Sequence, residues 1–174
     1  MPTQTVKEQS SIKKLGLIVA VSLSQERGVP KYPQPEAQVG QYGLEGDCHA
    51  GPRYTNLRTG EEKDSRRHVT IVAQEALEEM NTALGISLLP GDLAENVLVR
   101  GLGDLSDVVA GDRLLLGDGV ALEITGQNSP CSNLLRYHRR LAKNIYGKRG
   151  LIAKVVTTGR LRPGDPVELV RHSD

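Results

Sequence analysis

Two stretches, Ala110-Gly111-Asp112-Arg113-Leu114-Leu115-Leu116 and Pro163-Gly164-Asp165-Pro166-Val167-Glu168-Leu169, follow one plan. Glycine supplies the left-handed backbone of a tight turn, the aspartate carboxylate takes up nearby amide N–H groups, and the residues that follow alternate into a sheet. Gly-Asp pairs also start at 46, 91, 103 and 117, and five of the six read as structural turns. Outward from these units the chain reads as short strands over 15–23, 68–72, 96–100, 113–116, 120–125, 151–157 and 167–170, separated by glycine-containing turns. One segment, Gln74 to Leu84, changes to helical spacing, with Ala76, Leu77, Met80 and Leu84 on one face and Gly85 as its stop. Short strands with regularly placed turns predict a mostly β fold with a few helices. The expected form is a closed or partly closed, predominantly antiparallel barrel, because closure removes exposed sheet edges. Residues 15–174 are expected to form one domain and residues 1–14, which lack periodicity, a flexible tail. The segment 25–66 carries Pro30, Pro33, Pro35 and six glycines, a composition that opposes helix interiors and central strands.

The chain has 174 residues, with neither Phe nor Trp and five Tyr, so its core must be aliphatic. Single-stranded nucleic-acid platforms, which stack bases on clustered aromatics beside a basic groove, are disfavoured. The 22 Lys and Arg against 21 Asp and Glu leave a net charge of +1, and charge names no partner. Two cysteines, Cys48 and Cys131, are too few for a disulfide scaffold and read as free thiols of a reducing, cytoplasmic compartment. The apolar run Leu15 to Leu23 follows Lys13 and Lys14 but is β-branched and short. It reads as a buried first strand rather than a signal segment, and no membrane partner is expected.

Three segments carry candidate chemistry. In Ser129-Pro130-Cys131, serine suits a helix cap and proline the first helical position, which predicts a helix continuing through Leu134, His138, Leu141 and Ile145. Cys131 then lies among free amide N–H groups that favour a thiolate, the form that attacks or binds metal, although a small thiol can equally pack as a hydrophobe. Arg136, Arg140 and Lys143 line one side of that helix as an anion contact. Gly40 to Gly51 places Asp47 and His49 between glycines, Gly46 among them, that permit close ligand approach. It matches no nucleotide-binding loop. A zinc site from Cys48, His49, His68 and Cys131 is disfavoured, since adjacent Cys48 and His49 would face opposite sides of a strand. Glu95 and Asn96 immediately precede an apolar strand, where they are either solvated at its edge or buried against a polar ligand. Arg66-Arg67-His68 precedes another strand and suits oxyanions.

In order, Gly28-Val29-Pro30-Lys31, Gly43 through His49, Arg67 with Val69-Thr70-Ile71, Gly91 through Asn96, Ala110-Gly111-Asp112, Pro130-Cys131 and Pro163-Gly164-Asp165 resemble the MOSC family. That domain is named for the C-terminal part of molybdenum cofactor sulfurases, and the resemblance runs from about Leu15 to Val170. It implies a strand-rich, barrel-like fold that binds the molybdenum cofactor, a molybdopterin bearing a dithiolene and a phosphate. By that resemblance Cys131 is the family cysteine, which carries sulfane sulfur as a persulfide in sulfurase-like members and ligates molybdenum in reductase-like members. Arg67, Glu95, Asn96 and His49 match the family's polar positions. With Gly46, Asp47 and Arg136 they make the expected cofactor-binding set. Leu93-Ala94 stands where the family has Phe-Gly. The chain shows no pyridoxal-phosphate domain, so a separate cysteine desulfurase or an electron-donor protein is the expected partner, with a molybdoenzyme as possible client. Three functions follow from the resemblance: a sulfur carrier to the cofactor, a molybdenum-dependent reductase of N-hydroxylated compounds, and a non-enzymatic cofactor carrier.

Overall fold

A computed structural model describes residues 13–173. Seven strands close into a mixed barrel: β1 (Lys13–Leu23), β7 (Val69–Ala73), β8 (Val97–Arg100), β9 (Arg113–Leu116), β10 (Val120–Gln127), β11 (Leu151–Thr157) and β13 (Pro166–Val170). Around the ring the order is β13, β9, β10, β11, β7, β8, β1, and the pairing of β1 with β13 completes it. Every ring pair is antiparallel except β7 and β8, whose parallel pairing is made by the crossover helix α1 (Gln74–Leu84). The predicted helix and its stop are both present, with Gly85 in the left-handed conformation at φ 63°. The expected tail lies outside the described residues except for Lys13 and Lys14. Those two belong to β1, opposite Val170 and Leu169.

The segment 25–66 is built as predicted from pieces too short for a barrel wall. They are β2 (Tyr32–Gln34), β3 (Ala37–Gly40), β4 (Gly43–Leu44), β5 (Arg53–Thr55) and β6 (Glu62–Asp64). β2 extends from β1, β3 and β4 form a small sheet with β12 (Gly159–Leu161), and β5 and β6 make an isolated hairpin. The Gly-Asp turns behave as read: Asp92, Asp112 and Asp165 accept the amides of Leu89, Val109 and Arg162 at 2.8, 3.0 and 2.8 Å.

Alternation along the strands divides the apolar residues between two cores. Ile71, Val97, Val99, Leu122, Ile124 and Leu169 fill the barrel. Val72 and Leu98, one residue out of step, face outward and pack with Leu77 and Met80 of α1, Leu134, Leu141 and Ile145. This outer cluster anchors the chain after β10 against the wall. Its secondary structure differs from the predicted continuous helix. A 3₁₀ turn over Ser132–Arg136 is followed by a short helix α2 (Leu141–Asn144). The Arg140 amide donates to the His138 ring Nδ1 (3.1 Å), which takes it out of any helical ladder. Cys131 is extended (φ −129°, ψ 167°) and stands before the 3₁₀ turn, so it has no helix-dipole environment.

Candidate functional site

Strand register sets where the separated residues lie. The Asn128 amide donates to the Gly150 carbonyl (2.8 Å), Leu151 lies opposite Ile71, and Ile71 lies opposite Val97. Cys131, after β10, and Arg149, before β11, therefore lie on one side of this row, whereas Arg67, before β7, and Glu95, before β8, lie on the other, as the bond from the His68 amide to the Ala153 carbonyl also shows. The approach is tight. A Cβ on Gly150 (φ +105°) would stand 2.0 Å from the Ile71 carbonyl oxygen, so glycine is required next to Arg149.

Arg149 is 4% exposed, and its Nε and Nη1 have no hydrogen-bond partner among the described residues. Burial pulls its guanidinium below its usual value, opposed by the charge of Glu95 and by the charge and hydrogen bonding of Cys131, with the Arg67 charge adding to the fall. Glu95 is sealed in the interior rather than solvated at a strand edge. Its Oε1 accepts the Gly91 amide (2.6 Å) and its Oε2 the Leu93 amide (3.2 Å). Burial pushes its carboxyl up to about 7, against the pull of those amides and of Arg149. Asn96 is spent inside the wall: its Oδ1 accepts the Thr70 amide (3.1 Å) and its Nδ2 donates to the Ser22 carbonyl (3.1 Å), tying β1 to β7.

The turn that follows β4 holds the second group. Gly46 takes φ +87°. Asp47 accepts the amides of Ser24 and His49, each at 3.1 Å. Lys31, 1% exposed, places its Nζ at 2.8 and 2.7 Å from the two Asp47 carboxylate oxygens and 3.2 Å from His49 Nδ1. Burial works to raise the Asp47 carboxyl, but the ammonium and the two amides hold it below the ordinary range. Burial, then Lys31, brings His49 down to about 4, so its ring is neutral at pH 7. Cys48 and His49 do not lie in a strand. The turn directs both side chains the same way, with Sγ 3.4 Å from Nδ1, and burial and Asp47 raise the Cys48 thiol. Asp47, Cys48 and His49 are close enough to share a metal, but the Lys31 ammonium already occupies the anionic centre of that trio. The zinc set weighed from sequence is not assembled, since His68 Nδ1 accepts the Val155 amide (3.2 Å) and Cys131 lies beside Arg149.

Beside the Cys48–His49 turn opens a cleft of about 570 Å³, and among the described residues neither Cys131 nor Arg149 lines it. Cys48, His49 and four arginines, Arg27, Arg53, Arg66 and Arg67, line it, and no carboxylate does. Arg67 Nη2 donates to Asn128 Oδ1 (3.0 Å), linking the cleft to the Cys131 loop. Cys131 is a free, exposed thiol. Arg136 is not in the cleft; it donates to the Val29 carbonyl (3.0 Å) and ties the 3₁₀ turn to the segment preceding Lys31. Arg149 escaped the sequence reading. The only signal was a basic pair, Lys148-Arg149, set between glycines before a strand.

The family model described as the MOSC domain matches residues 45–168. The chain is 30% identical over 145 residues, 73% of its own length and 76% of the relative's, to YuaD of Bacillus subtilis (strain 168), a protein provisionally described as acting in metal-sulfur cluster biosynthesis. The crystal structure of YuaD superposes with a TM-score of 0.84 at 23% identity, covering 94% of this chain and all (100%) of that one. YiiM from Geobacillus stearothermophilus superposes at 0.69 and 22% identity over 90% of this chain and 75% of that one. These two superpositions speak for the fold. With a domain match over most of its length and a relative that shares nearly a third of its aligned residues, the chain belongs to the MOSC domain family.

Proposed function

We propose that this protein binds the molybdenum cofactor and that Cys131 acts as a thiolate that carries sulfane sulfur to it. The observation that carries the reading is an exposed thiol on the same side of the barrel as a buried guanidinium whose Nε and Nη1 have no hydrogen-bond partner among the described residues. Buried donors without partners are costly, and an anion brought to them would satisfy them. The donor set fits a phosphate-bearing, thiol-reactive group: Arg67 and the cleft arginines suit phosphate, and Cys131 suits sulfur or metal chemistry. Arg67 and Arg149 would hold the negative charge, while Glu95 and Asn96 fix the loops that carry them. Asp47 and Lys31 would shape the turn that presents His49. When bound, the cofactor supplies a metal centre able to accept sulfur.

In sulfur loading, the Cys131 thiolate attacks the outer sulfur of a donor persulfide. A new S–S bond forms at Cys131 as the donor cysteine leaves as its thiolate. A separate cysteine desulfurase is the proposed donor. The description of YuaD favours sulfur handling over other uses of the same fold.

The test is to purify the protein from a cofactor-competent host, measure molybdenum and pterin per chain, and map sulfane sulfur by mass spectrometry. Persulfide on Cys131 with bound pterin supports the carrier. Stoichiometric molybdenum that is lost in Cys131→Ser, together with reduction of hydroxylamines, would replace it by a reductase in which Cys131 is a metal ligand.

A further inference from the structure

Nine of the chain's 22 Lys and Arg, and none of its 21 Asp and Glu, lie between Glu123 and Asp165. The fold accounts for most of them. Lys148 pairs with Glu79 (2.9 Å), Arg160 and Arg162 both reach Glu36 (3.6 and 3.0 Å), Lys154 stands opposite Glu123 on β10, and Arg149 is buried. Arg136 gives a donor to the Val29 carbonyl. Arg139, Arg140 and Lys143 are left over. All three are exposed, and among the described residues none of them forms a salt bridge.

The segment that carries them is held from one side only. Leu134, Leu141 and Ile145 pack into the outer core, and the 3₁₀ turn and α2 lie against each other. The helical spacing of residues 139, 143 and 146 puts them on the side turned away from Leu141 and Ile145. Two large apolar side chains stand in water on this segment, Leu135 at 55% and Tyr146 at 78% exposure. Tyrosine and arginine are what protein-binding surfaces concentrate. A nucleic-acid track would need basic charge that continues, whereas this strip is closed at its end by Lys148, held between Glu79 and Asp104. Cys131 opens the same segment as an exposed thiol, its carbonyl accepting the Leu134 amide (3.2 Å).

We propose that the exposed face of residues 131–146 docks a protein whose surface is acidic around an apolar contact, and that this protein delivers sulfur to Cys131. This rests on the reading of Cys131 as a sulfur carrier and adds the surface that recognises its donor. Carboxylates of the partner answer Arg139, Arg140 and Lys143, while Leu135 and Tyr146 supply the contact that a purely electrostatic encounter lacks. Because the inward residues already fix the segment, little ordering is lost on binding. The Cys131 thiolate then takes the outer sulfur of the docked persulfide and the donor cysteine leaves as its thiolate, so no oxidant or reductant is consumed.

The test makes two measurements on the purified chain with each purified cysteine desulfurase of the same organism. The first is affinity, read by the anisotropy of an N-terminal fluorophore at low and high salt. The second is sulfur on Cys131, mapped by mass spectrometry after incubation with desulfurase and cysteine, or with 2-hydroxyethyl persulfide, a donor too small to need docking. One desulfurase is expected to bind the wild type, less tightly as salt is raised. Arg139→Glu with Lys143→Glu should weaken that binding and slow loading by that desulfurase roughly 10-fold to 100-fold at low salt, and Leu135→Ser with Tyr146→Ser about 10-fold. Loading by the small persulfide and the melting temperature should not change, since all four side chains are exposed. Equal binding by the charge-reversed variant, an equal loss of loading with both donors, or tighter binding to a single-stranded oligonucleotide than to any desulfurase overturns the docking surface. Desulfurase loading of Cys131 that is indifferent to the four substitutions also overturns it and leaves the carrier reading standing. Binding that the substitutions abolish, with no sulfur reaching Cys131 from either donor, keeps the surface and overturns sulfur delivery and the carrier reading. Neither binding nor loading overturns both.

Discussion

Lys31 and Arg149 are both cations sealed within this fold, and the protein treats them in opposite ways. Lys31 has both Asp47 carboxylate oxygens and the His49 ring within 3.2 Å. Its charge is neutralised, and its surroundings pull Asp47 down and keep His49 neutral. Arg149 sits at a comparable depth with its Nε and Nη1 unanswered. Burial of a charge costs several kcal/mol, roughly, unless something compensates it; Asp47 compensates Lys31 by direct contact, whereas Arg149 has only the nearby charge of Glu95 and the Cys131 thiol, with two donors left without a partner among the described residues. The two cysteines divide along the same line. Cys48 hydrogen-bonds within the Lys31 cluster and its thiol is pushed up, whereas Cys131 is exposed beside Arg149.

The sharpest way to break this contrast is to remove each cation in turn. Lys31→Met strands the buried Asp47 carboxylate, and urea unfolding should report a loss of about 3–5 kcal/mol. A loss below about 1 kcal/mol would make the cluster incidental.

The second effect is one of pH. His49, at about 4 in the native state, takes up its proton earlier in the unfolded chain, near 6.5. Between those values stability rises with pH. Glu95, at about 7 in the native state, holds a proton that the unfolded chain releases near 4.3. Over nearly the same window stability therefore falls with pH. The two slopes oppose each other, and the wild-type profile between roughly pH 4.5 and 6.5 should be shallow. Glu95→Gln should leave a rise of about 1 kcal/mol per pH unit, to which His68, also lowered by burial, adds. His49→Asn should tilt the profile the other way relative to wild type. An unchanged profile in Glu95→Gln would contradict the assignment of a raised carboxyl beside Arg149.

Smallest is Arg149→Met itself. Below pH 7, where burial keeps Glu95 protonated, replacing the guanidinium and its two unpartnered donors by an apolar chain of similar length should leave stability unchanged or raise it by about 1 kcal/mol in thermal unfolding. A large loss would show that Arg149, like Lys31, is a structural clamp.

The barrel was legible because its signals are local. A Gly-Asp turn followed by alternating residues marks a strand locally, and the strands read after the two matching turns, at 113–116 and 167–170, are found at Arg113–Leu116 and Pro166–Val170. The helix expected after Pro130 was not, because its interruption depends on one side chain, His138, capturing a backbone amide two residues on. Cys48 and His49 were placed on opposite faces by a strand period that does not apply inside a turn. The burial of Glu95 and Asn96 was foreseen as one of two alternatives, but their saturation by Gly91, Leu93, Thr70 and Ser22 requires the closed ring. Arg149 could not be singled out, since what distinguishes it is burial with two guanidinium donors left unpartnered among the described residues, which only the folded chain creates.

In the proposed function, chemistry resides at the exposed Cys131 and not at Cys48 in the Lys31 cluster. Incubating the protein with a cysteine desulfurase and cysteine, then mapping sulfane sulfur on each cysteine by mass spectrometry, tests it most directly. Added sulfur is expected on Cys131 and none on Cys48. Sulfur on Cys48, or on neither cysteine, would contradict it.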